Sequence, residues 1–503
     1  MNPREASATA GWAGDLSIAG RYHVVGVGGS GMSAIATVLA AMGHTVSGSD
    51  ARGSGVLDRL AGHGVETWAG HHPERLTTPG AARLDAVTAS TAVPADDPEL
   101  AAARSMGVPV LSRADMLAAI CALRRTLAVA GTHGKTTTSA MLAGLLVAAD
   151  LHPSFIVGGD IVGVGPGARW DRGEWLVVEA DESDGTFLRL PAEGVIVTSV
   201  EPDHLDFYGD VAHLEAAFET FATAAPGPRV ICIDGPAAAA LATKLGPDRL
   251  TTYGGTAGAG LRVEDVRSDR GGVRFSLRGA GASSGTVRLA VPGRHNALNA
   301  TAALGLALAI GVEPDVAIGS LESFGGVARR FERRGEREGI TFVDDYAHLP
   351  NEVKTAVGTA RDGGWERVVV VFQPHRYSRT AALWRDFADS FVGADVVMIT
   401  DVYPSGEAPR RGVGGHLVAR AVAEAHADLD LRYLPDRAVL LDALRAELRP
   451  GDLCLTLGAG DLTTLPDQLL AEPSASERGR GVARANAGSP GEVGCGAQPH
   501  RRL

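Results

Sequence analysis

The stretch RTLAVAGTHGKTTTSAMLAGLLVAA, residues 125–149, decides the fold of this chain. Its first six residues form a short apolar run typical of a buried strand, and its second half has the composition of a helix. Between them, GTHGKTTT places two glycines, a lysine and four threonines around the start of that helix. A strand, a glycine-rich loop and a helix in this order predict a parallel α/β sheet that carries a phosphate-binding loop.

The loop at residues 131–138 contains the residue types that hold a polyphosphate. Glycines let backbone N–H groups turn towards an anion, and the helix N-terminus adds its dipole. Lys135 would bind phosphate oxygens, and the Thr136 hydroxyl would bind Mg²⁺. Only three of the 47 lysines and arginines are lysines, which indicates a chemical role for a lysine here. The alternative is an ordinary glycine turn, because Val129 stands where the longer phosphate-loop motif has its first glycine.

A second glycine loop, GVGGSG at residues 26–31, follows an apolar strand-like run near the start of the chain. Asp50 ends the next predicted strand, where a ribose-binding carboxylate is expected. Taken alone, the loop indicates a nicotinamide dinucleotide. The same loop can hold any pyrophosphate, including that of a nucleotide sugar, and a tight packing turn without a ligand is the third interpretation. The residues leave these three open.

Two further predicted strands end in acidic loops. EADESD contains Glu179, Asp181, Glu182 and Asp184, and EPDHLD contains His204. Because the carboxyl ends of parallel strands meet at one sheet edge, we expect both loops beside the phosphate loop. Hard oxygen ligands and one imidazole suit Mg²⁺–ATP chemistry. A solvated acidic loop is the alternative.

Later motifs contribute asparagine, histidine and arginine. GRHNALNA presents His295, Asn296 and Asn299, whose amides suit an adenine or a ribose, although helix capping is the simpler explanation of the motif alone. In the last third of the chain, arginine and histidine cluster at predicted strand ends and suit a carboxylate or a phosphoryl group. These residues are Arg329, Arg330, His348, His375, Arg376 and Arg379.

The alternation of strands and helices predicts an α/β protein of three domains: a Rossmann-like N-terminal domain, a P-loop-type central ATPase domain and a Rossmann-like C-terminal domain. We predict domain bounds of 18–120, 121–327 and 328–471. Alternating short runs between Leu261 and Val291 predict an antiparallel excursion inside the second domain. The remaining residues, 472–503, are rich in Gly, Ser, Arg and Pro and are predicted to be a disordered tail.

Composition restricts the class of protein. Hydrophobic residues make up 45% of the 503 residues and charged residues 21%, as in soluble globular proteins. A net charge of −12 argues against broad binding to nucleic acid or anionic membranes. The sequence has no signal-peptide pattern and no apolar run long enough to span a bilayer, so we expect a cytoplasmic protein. The four cysteines form no CxxC pair, which argues against a zinc site or a disulfide framework.

Taken together, these motifs resemble the Mur ligase family over about residues 21–467. The resemblance rests on an ordered set of segments: GVGGSGM, GTHGKTTT, EADESD, EPDHLD, GRHNALNA, RRFE, DDYAH, FQPHRYSRT and GAGD. It also accounts for the missing glycine at Val129, because the family uses this shorter phosphate loop. It implies an ATP- and Mg²⁺-dependent ligase that joins L-alanine to UDP-N-acetylmuramate through an acyl phosphate in peptidoglycan synthesis.

The resemblance assigns roles to the matching positions. It implies that the N-terminal loop holds the UDP-sugar rather than a nicotinamide cofactor, through Gly28, Gly29, Ser30, Gly31, Met32, Asp50 and His71. It implies ATP binding by Gly131, Thr132, His133, Gly134, Lys135, Thr136, Thr137, His295, Asn296, Asn299 and Arg330. The implied Mg²⁺ ligands are Thr136, Glu179 and His204. The implied catalytic residues are Lys135, His204, His348, His375, Arg376 and Arg379.

Two departures from the family pattern bear on the site. Leu349 replaces the second histidine of DDYxHHP, so any role of that histidine is in doubt here. Later ligases of the family carry a carbamylated lysine in the helix after the DH motif. The segment AHLEAAFETFATAA contains no lysine, so we expect no carbamate, and this absence fits the alanine-adding branch.

Three rival functions can be tested against this hypothesis. Within the family, a muropeptide-recycling ligase would add a whole peptide instead of alanine. A nicotinamide-dependent dehydrogenase would use the N-terminal loop but would leave GTHGKTTT and the acidic loops unexplained. An ATP-sensing binding module would bind nucleotide without releasing phosphate.

Overall fold

The computed structural model describes Trp12 and residues 14–77, 83–279 and 282–471. The tail predicted to be disordered, residues 472–503, lies outside the described residues. Contacts divide the chain into two compact units. The first extends to Glu332 and includes Gly358–Gly364, and the second holds Arg333–Val357 and continues from Trp365. Within the described part of the chain, no helix is long and apolar enough to cross a membrane.

The first sheet, in the first unit, has five parallel strands in the order β3-β2-β1-β4-β5. Its strands are β1 (Arg21–Val25), β2 (Thr45–Asp50), β3 (Glu66–Ala69), β4 (Ala86–Ala89) and β5 (Val110–Ser112). Its helices are α1 (Ser30–Ala41), α2 (Gly55–Gly62), α3 (Pro73–Leu76), α4 (Pro98–Ser105) and α5 (Arg113–Cys121). The strand order reverses between β1 and β4, so a crevice opens beside the loop that follows β1. This is the Rossmann-like arrangement that the sequence predicts.

The second sheet, also in the first unit, has ten strands in the order β15-β14-β13-β12-β11-β10-β6-β9-β7-β8. Its strands are β6 (Arg125–Ala130), β7 (Ser154–Ile156), β8 (Ala168–Arg169), β9 (Trp175–Glu179), β10 (Ala192–Val197), β11 (Arg229–Cys232), β12 (Leu250–Gly254), β13 (Leu261–Asp269), β14 (Gly272–Gly279) and β15 (Ala282–Leu289). Its helices are α6 (Lys135–Ala148), α7 (Leu205–Tyr208), α8 (Val211–Ala224), α9 (Pro236–Leu245), α10 (Arg294–Ala309) and α11 (Pro314–Glu322), with a 3₁₀ turn at Thr186–Arg189. The antiparallel pairs of β14 with β13 and β15 confirm the predicted excursion. Because β13 pairs in parallel with β12, the excursion continues the main sheet.

The third sheet, in the second unit, has six strands in the order β16-β17-β21-β18-β19-β20. Its strands are β16 (Glu332–Arg337), β17 (Ile340–Asp345), β18 (Arg367–Phe372), β19 (Val396–Ile399), β20 (Asp430–Tyr433) and β21 (Asp452–Leu457). Its helices are α12 (Pro350–Asp362), α13 (Tyr377–Leu383), α14 (Gly415–Ala425), α15 (Arg437–Glu447) and α16 (Leu465–Ala471), with a 3₁₀ turn at Asp461–Thr464. The part of α12 from Gly358 onwards is counted with the first unit. The predicted α/β class is confirmed, while the predicted domain bounds remain predictions.

Strand β6 shows why the second sheet is stable. Leu127 and Val129 face one buried apolar cluster, and Ala128 and Ala130 face another. This alternation follows from the two-residue period of a strand, and both faces are apolar because helices cover a parallel sheet on both sides. The strand is therefore held rigidly, and the loop that leaves its carboxyl end starts from a fixed point.

Candidate active site

The phosphate loop, residues 131–134, joins β6 to α6 through two glycines with positive φ. Gly131 (φ 132°) passes so close to the end of β10 that a Cβ there would lie 2.1 Å from Thr198 Oγ1. Gly134 (φ 82°) precedes α6, and no side chain of the described residues caps the helix. The first N–H groups of α6 therefore face the loop without a capping partner, as an anion site requires.

The loop is fixed from the neighbouring strand β10. The hydroxyl of Thr198 donates to the carbonyl of His133, and Ser199 Oγ accepts the His133 N–H at 3.1 Å. The Thr132 hydroxyl accepts the N–H of Glu201 at 2.9 Å. Parallel pairing of β6 with β10 brings these residues together, so the loop is held in shape before any nucleotide binds.

Lys135 is largely buried and paired with an acidic side chain. Its Nζ lies 2.8 Å from Glu182 Oε1 and donates to the Gly131 carbonyl at 2.8 Å. Burial opposes the charged ammonium, but Glu182, helped by Glu179 and Asp181, outweighs it and raises the pKa of Lys135. Burial also raises the pKa of Glu182, which the charge of Lys135 offsets only in part. Glu182 thus pairs with the ammonium group that a phosphate would bind.

Thr136 lies beside a carboxylate and an arginine. Its hydroxyl donates to Glu179 Oε1 at 3.0 Å and accepts from Arg330 Nη2 at 3.2 Å. The second oxygen of Glu179 accepts the N–H of Gly158 at 2.8 Å, which fixes the carboxylate. A hydroxyl and a carboxylate oxygen are hard donors that could hold Mg²⁺ beside phosphate oxygens.

His204 follows β10 in a strained backbone conformation. Its φ is 53°, which a non-glycine residue rarely adopts, and its Nε2 lies 3.5 Å from Asp203 Oδ2. In the sheet, β10 and β9 flank β6, so His204 and Glu179 follow the strands on either side of the phosphate loop. The sequence predicts this placement from the carboxyl-edge rule alone.

The helix α10 packs beneath the phosphate loop. Asn299 lies so close to Gly134 that a Cβ on the glycine would be 2.5 Å from Asn299 Oδ1. The Asn296 amide donates to the Pro292 carbonyl at 2.6 Å, and within the described part of the chain no side chain caps the helix. Burial lowers the pKa of His295 to about 4. The motif therefore supports the phosphate loop, and helix capping does not account for it.

The N-terminal glycine loop is braced by Asp50. The Asp50 carboxylate accepts the Gly28 N–H at 2.9 Å, and α1 begins two residues later without a side-chain cap from any residue that the structure describes. In this structure Asp50 holds the loop, while its role towards a ribose stays a prediction.

His71, at the carboxyl edge of the first sheet, faces two buried acids. Its Nδ1 lies 3.2 Å from Asp97 Oδ2 and 3.4 Å from Glu99 Oε2. Glu99 is fully buried, and its oxygens already accept from Trp68 Nε1 at 3.1 Å and the His72 N–H at 2.8 Å. Burial acts to raise the pKa of Glu99, but hydrogen bonds outweigh it and set the pKa at about 2, with donors that include His23 and Ser49. The three side chains are close enough for a metal, but these donors favour a hydrogen-bond network that orients His71.

In the second unit, aromatic and basic residues cluster at strand ends. The rings of His348 and His375 lie 5.7 Å apart, and His375 stacks on Tyr403 at 5.8 Å. Arg379 donates to His375 Nδ1 at 3.1 Å. Burial and then the charges of His348, Arg379 and Arg376 lower the pKa of His375 to about 4. His375 is therefore neutral near pH 7, and the arginines supply the positive charge. Arg376 has a φ of 69°.

Three residues of the site cannot be singled out from the sequence. EADESD indicates hard oxygen ligands as a group, but it does not distinguish Glu182, which pairs with Lys135. Glu99 had no signal, because a single glutamate near a helix start usually faces solvent. Tyr403 follows a predicted strand, and its position at the carboxyl edge of the sheet is the one sequence feature that points to it.

An open depression of about 670 Å³ lies elsewhere in the first unit. Its lining includes Arg125, Glu174 and Glu193, which lie near the amino ends of β6, β9 and β10. It is at the opposite sheet edge from the phosphate loop and plays no part in the candidate site.

Comparison with known families gives three matches in chain order. Residues 21–125 match the domain described as "Mur ligase family, catalytic domain", residues 129–307 the "Mur ligase middle domain", and residues 329–460 the "Mur ligase, glutamate ligase domain". These matches agree with the three sheets and confirm the predicted three-domain class.

Curated relatives and solved structures agree with these matches. A UDP-N-acetylmuramate–L-alanine ligase of Bradyrhizobium sp. (strain ORS 278) is 44% identical over 90% of this chain and 98% of its own length. The protein of the same name from Nitratidesulfovibrio vulgaris (strain DP4) is 43% identical over 89% and 98%. The crystal structure of the UDP-N-acetylmuramate–alanine ligase of Thermotoga maritima matches with a TM-score of 0.77 and 27% identity, over 92% of this chain and all of that one.

Proposed function

This chain belongs to the Mur ligase family, and on that premise we propose that it joins L-alanine to UDP-N-acetylmuramate at the expense of ATP. The carrying observation is the similarity to relatives of that name over 98% of their length. The chemical basis of the proposal is the pairing of Lys135 with Glu182 and the position of Thr136 beside Glu179. Because ATP is the energy source, we expect the reaction in the cytoplasm.

The chemistry needs an activated carboxyl group. The muramate carboxylate attacks the γ-phosphorus of ATP, which breaks the bond to ADP and forms an acyl phosphate. The amine of L-alanine then attacks the carbonyl, and the tetrahedral intermediate loses phosphate and a proton to leave an amide. Carboxylate is a poor electrophile, whereas phosphate is a good leaving group. The protein mainly supplies positioning and charge.

The phosphate loop is proposed to hold the transferred group. Lys135 and the N–H groups at the start of α6 would neutralise the β- and γ-phosphates. Lys135 can do so only if a phosphate oxygen takes over, or shares, the position of the Glu182 carboxylate. Mg²⁺, when bound, would neutralise phosphate charge, held by Thr136 and Glu179 with His204 as a further ligand. Arg330, which donates to Thr136, supplies a second positive charge at this position.

The cluster in the second unit is proposed to receive the amino acid. Arg376 and Arg379 suit the carboxylate of L-alanine, because guanidinium groups bind carboxylates through paired hydrogen bonds. His375 is neutral and its Nδ1 accepts from Arg379, so its Nε2–H can donate a hydrogen bond without adding charge. We name no general base, and the effect of Leu349 in place of the family's second histidine is open to direct test.

The test is phosphate release in the presence of ATP, Mg²⁺ and UDP-N-acetylmuramate with a panel of amine substrates. We expect release to need all components and to be fastest with L-alanine, with L-serine and glycine as the closest competitors. Preference for a tripeptide over L-alanine would support the recycling function instead. A murein peptide ligase of Psychrobacter arcticus shares the fold (TM-score 0.68, 22% identity), so the fold alone does not separate the two functions and the tripeptide belongs in the panel. Turnover of NADH without phosphate release would support a dehydrogenase.

A further inference from the structure

Arg113 links the first sheet to the acidic loop of the second. It is the first residue of α5, directly after β5. Its Nη2 lies 3.1 Å from Asp184 Oδ2 and 3.3 Å from Asp181 Oδ2, and 3.4 Å from Thr186 Oγ1. One nitrogen of the guanidinium therefore makes all three contacts with the acidic loop.

The other terminal nitrogen of Arg113 faces the N-terminal glycine loop. A Cβ built on Gly31 would lie 3.1 Å from Arg113 Nη1. Among the residues that the structure describes, Nη1 has no hydrogen-bond or ion-pair partner. Gly31 is the second residue of α1, a helix without a side-chain cap or an acidic residue in its first turn. Arg113 Nη1 therefore lies beside the first turn of α1, the turn that carries the first N–H groups of the helix.

We propose that Arg113 bridges the diphosphate of the UDP-sugar and the acidic loop, and so couples the UDP-sugar site to the ATP site. This inference rests on the proposed function, since it takes the ligand of the N-terminal loop to be a nucleoside diphosphate sugar. A guanidinium suits the task, because its planar fork can bind two anions with different nitrogens. A lysine has one nitrogen, so it cannot hold two anions with two separate nitrogens spaced by a rigid plane.

The acidic loop carries the effect to ATP. Residues 179–184 hold Asp181 and Asp184 against Arg113, and the same segment holds Glu182 against Lys135 and Glu179 against Thr136. A diphosphate on Nη1 keeps the guanidinium in place, and Nη2 then keeps the acidic loop in place. Ordering the UDP-sugar loop therefore orders the groups around the ATP phosphates, and tighter binding of one ligand must accompany tighter binding of the other.

Loss of Arg113 would have two electrostatic effects of the same sign. The diphosphate loses a cationic hydrogen-bond donor, and it then faces Asp181 and Asp184 without a positive charge between them. We therefore expect Arg113→Met to weaken binding of UDP-N-acetylmuramate about 10- to 100-fold. Adding Asp184→Asn to that variant removes one repelling charge and should restore part of the loss.

Calorimetric titration of the full chain with UDP-N-acetylmuramate, with and without Mg²⁺ and a non-hydrolysable ATP analogue, tests the bridge. The matched control is Arg189→Met. Arg189 pairs with Asp115 and so joins the same helix α5 to the 3₁₀ turn, but this ion pair does not involve Gly31. We expect the control to bind UDP-N-acetylmuramate within about twofold of wild type. Arg113→Lys should keep part of the affinity for the UDP-sugar but lose the mutual enhancement between the two ligands.

The outcomes separate the bridge from the proposed function. Wild-type protein that neither binds UDP-N-acetylmuramate nor releases phosphate with it would overturn the proposed function. Normal wild-type activity with unchanged UDP-sugar affinity in Arg113→Met would overturn the bridge alone. An equal loss in Arg113→Met and Arg189→Met would also overturn it, because the effect would then come from packing between α5 and the 3₁₀ turn.

Discussion

The pair of Lys135 and Glu182 gives a prediction that depends on whether nucleotide is bound. Replacing Glu182 by Gln keeps the size of the side chain but removes the charge opposite Lys135. The Glu182 side chain is only 2% exposed and that of Lys135 16%, so the ammonium would be left nearly buried without its main partner. Breaking a buried ion pair on one side costs about 3–5 kcal/mol. We expect a loss near 3 kcal/mol, because Lys135 keeps its bond to the Gly131 carbonyl.

The same variant should recover when phosphate is supplied. If Glu182 occupies the ammonium that the ATP phosphates later take, a bound ATP analogue provides the missing negative charge. The deficit in the free energy of unfolding should therefore shrink when Mg²⁺ and the analogue are present. Urea-induced unfolding, followed by tryptophan fluorescence, measures the free energy of unfolding of the variant and of wild type, with and without ligand. Because any bound ligand also stabilises wild type, the deficit is the difference between the two proteins under the same conditions.

The control for this experiment is Glu201→Gln. Glu201 lies 3.5 Å from His133 Nε2 beside the same loop, but its side chain is 49% exposed. An exposed pair contributes at most about 1 kcal/mol, so this variant should change little. A Glu182→Gln variant as stable as wild type without nucleotide, or a deficit that nucleotide leaves unchanged, would contradict the proposed exchange of Glu182 for phosphate at Lys135.

Three further predictions address the same sites. Gly131→Ala should abolish ATP binding, measured by titration, because its Cβ would collide with Thr198. Gly144→Ala, on α6, has open space around its Cβ and should raise the free energy of unfolding by about 0.5–1 kcal/mol, measured by thermal melting. Lys135→Ala should remove phosphate release while the circular dichroism spectrum stays that of wild type, and substantial turnover would contradict the phosphate-loop assignment. His375 has a folded pKa of about 4 against an ordinary 6.5, so it contributes a stability that is present above about pH 6.5 and is lost as the pH falls towards 4. His375→Gln should lose less stability over that interval, and an unchanged pH dependence would count against a buried neutral His375.

The sequence predicts the phosphate loop well because the information is local. An apolar strand, two glycines and a scarce lysine lie within the eleven residues 125–135, and their geometry follows from backbone conformation. The neighbouring acidic loops are predicted almost as well. A parallel sheet brings strand ends to one edge, which places Glu179 and His204 on either side of β6.

Other features depend on contacts between distant parts of the chain. Arg113 meets Asp181 and Asp184, 68 and 71 residues away, and nothing in its own neighbourhood distinguishes it from the other arginines. Glu99 lies in an ordinary alanine-rich helix, yet it is buried because three strands of the first sheet bring donors to it. Asp50 is at the predicted position, but the sequence could not show that its carboxylate braces Gly28. Tertiary packing decides each of these cases.

The proposed acyl phosphate can be tested by following one oxygen atom from the muramate carboxylate. UDP-N-acetylmuramate labelled with oxygen-18 in the muramate carboxylate is incubated with the protein, ATP, Mg²⁺ and L-alanine, and the released phosphate is examined by mass spectrometry. If the carboxylate attacks ATP and leaves as part of phosphate, each amide formed transfers one heavy oxygen to the phosphate and keeps the other in its carbonyl. Amide formation with no heavy oxygen in the phosphate would contradict an acyl phosphate, and phosphate release without any amide would contradict the ligase itself.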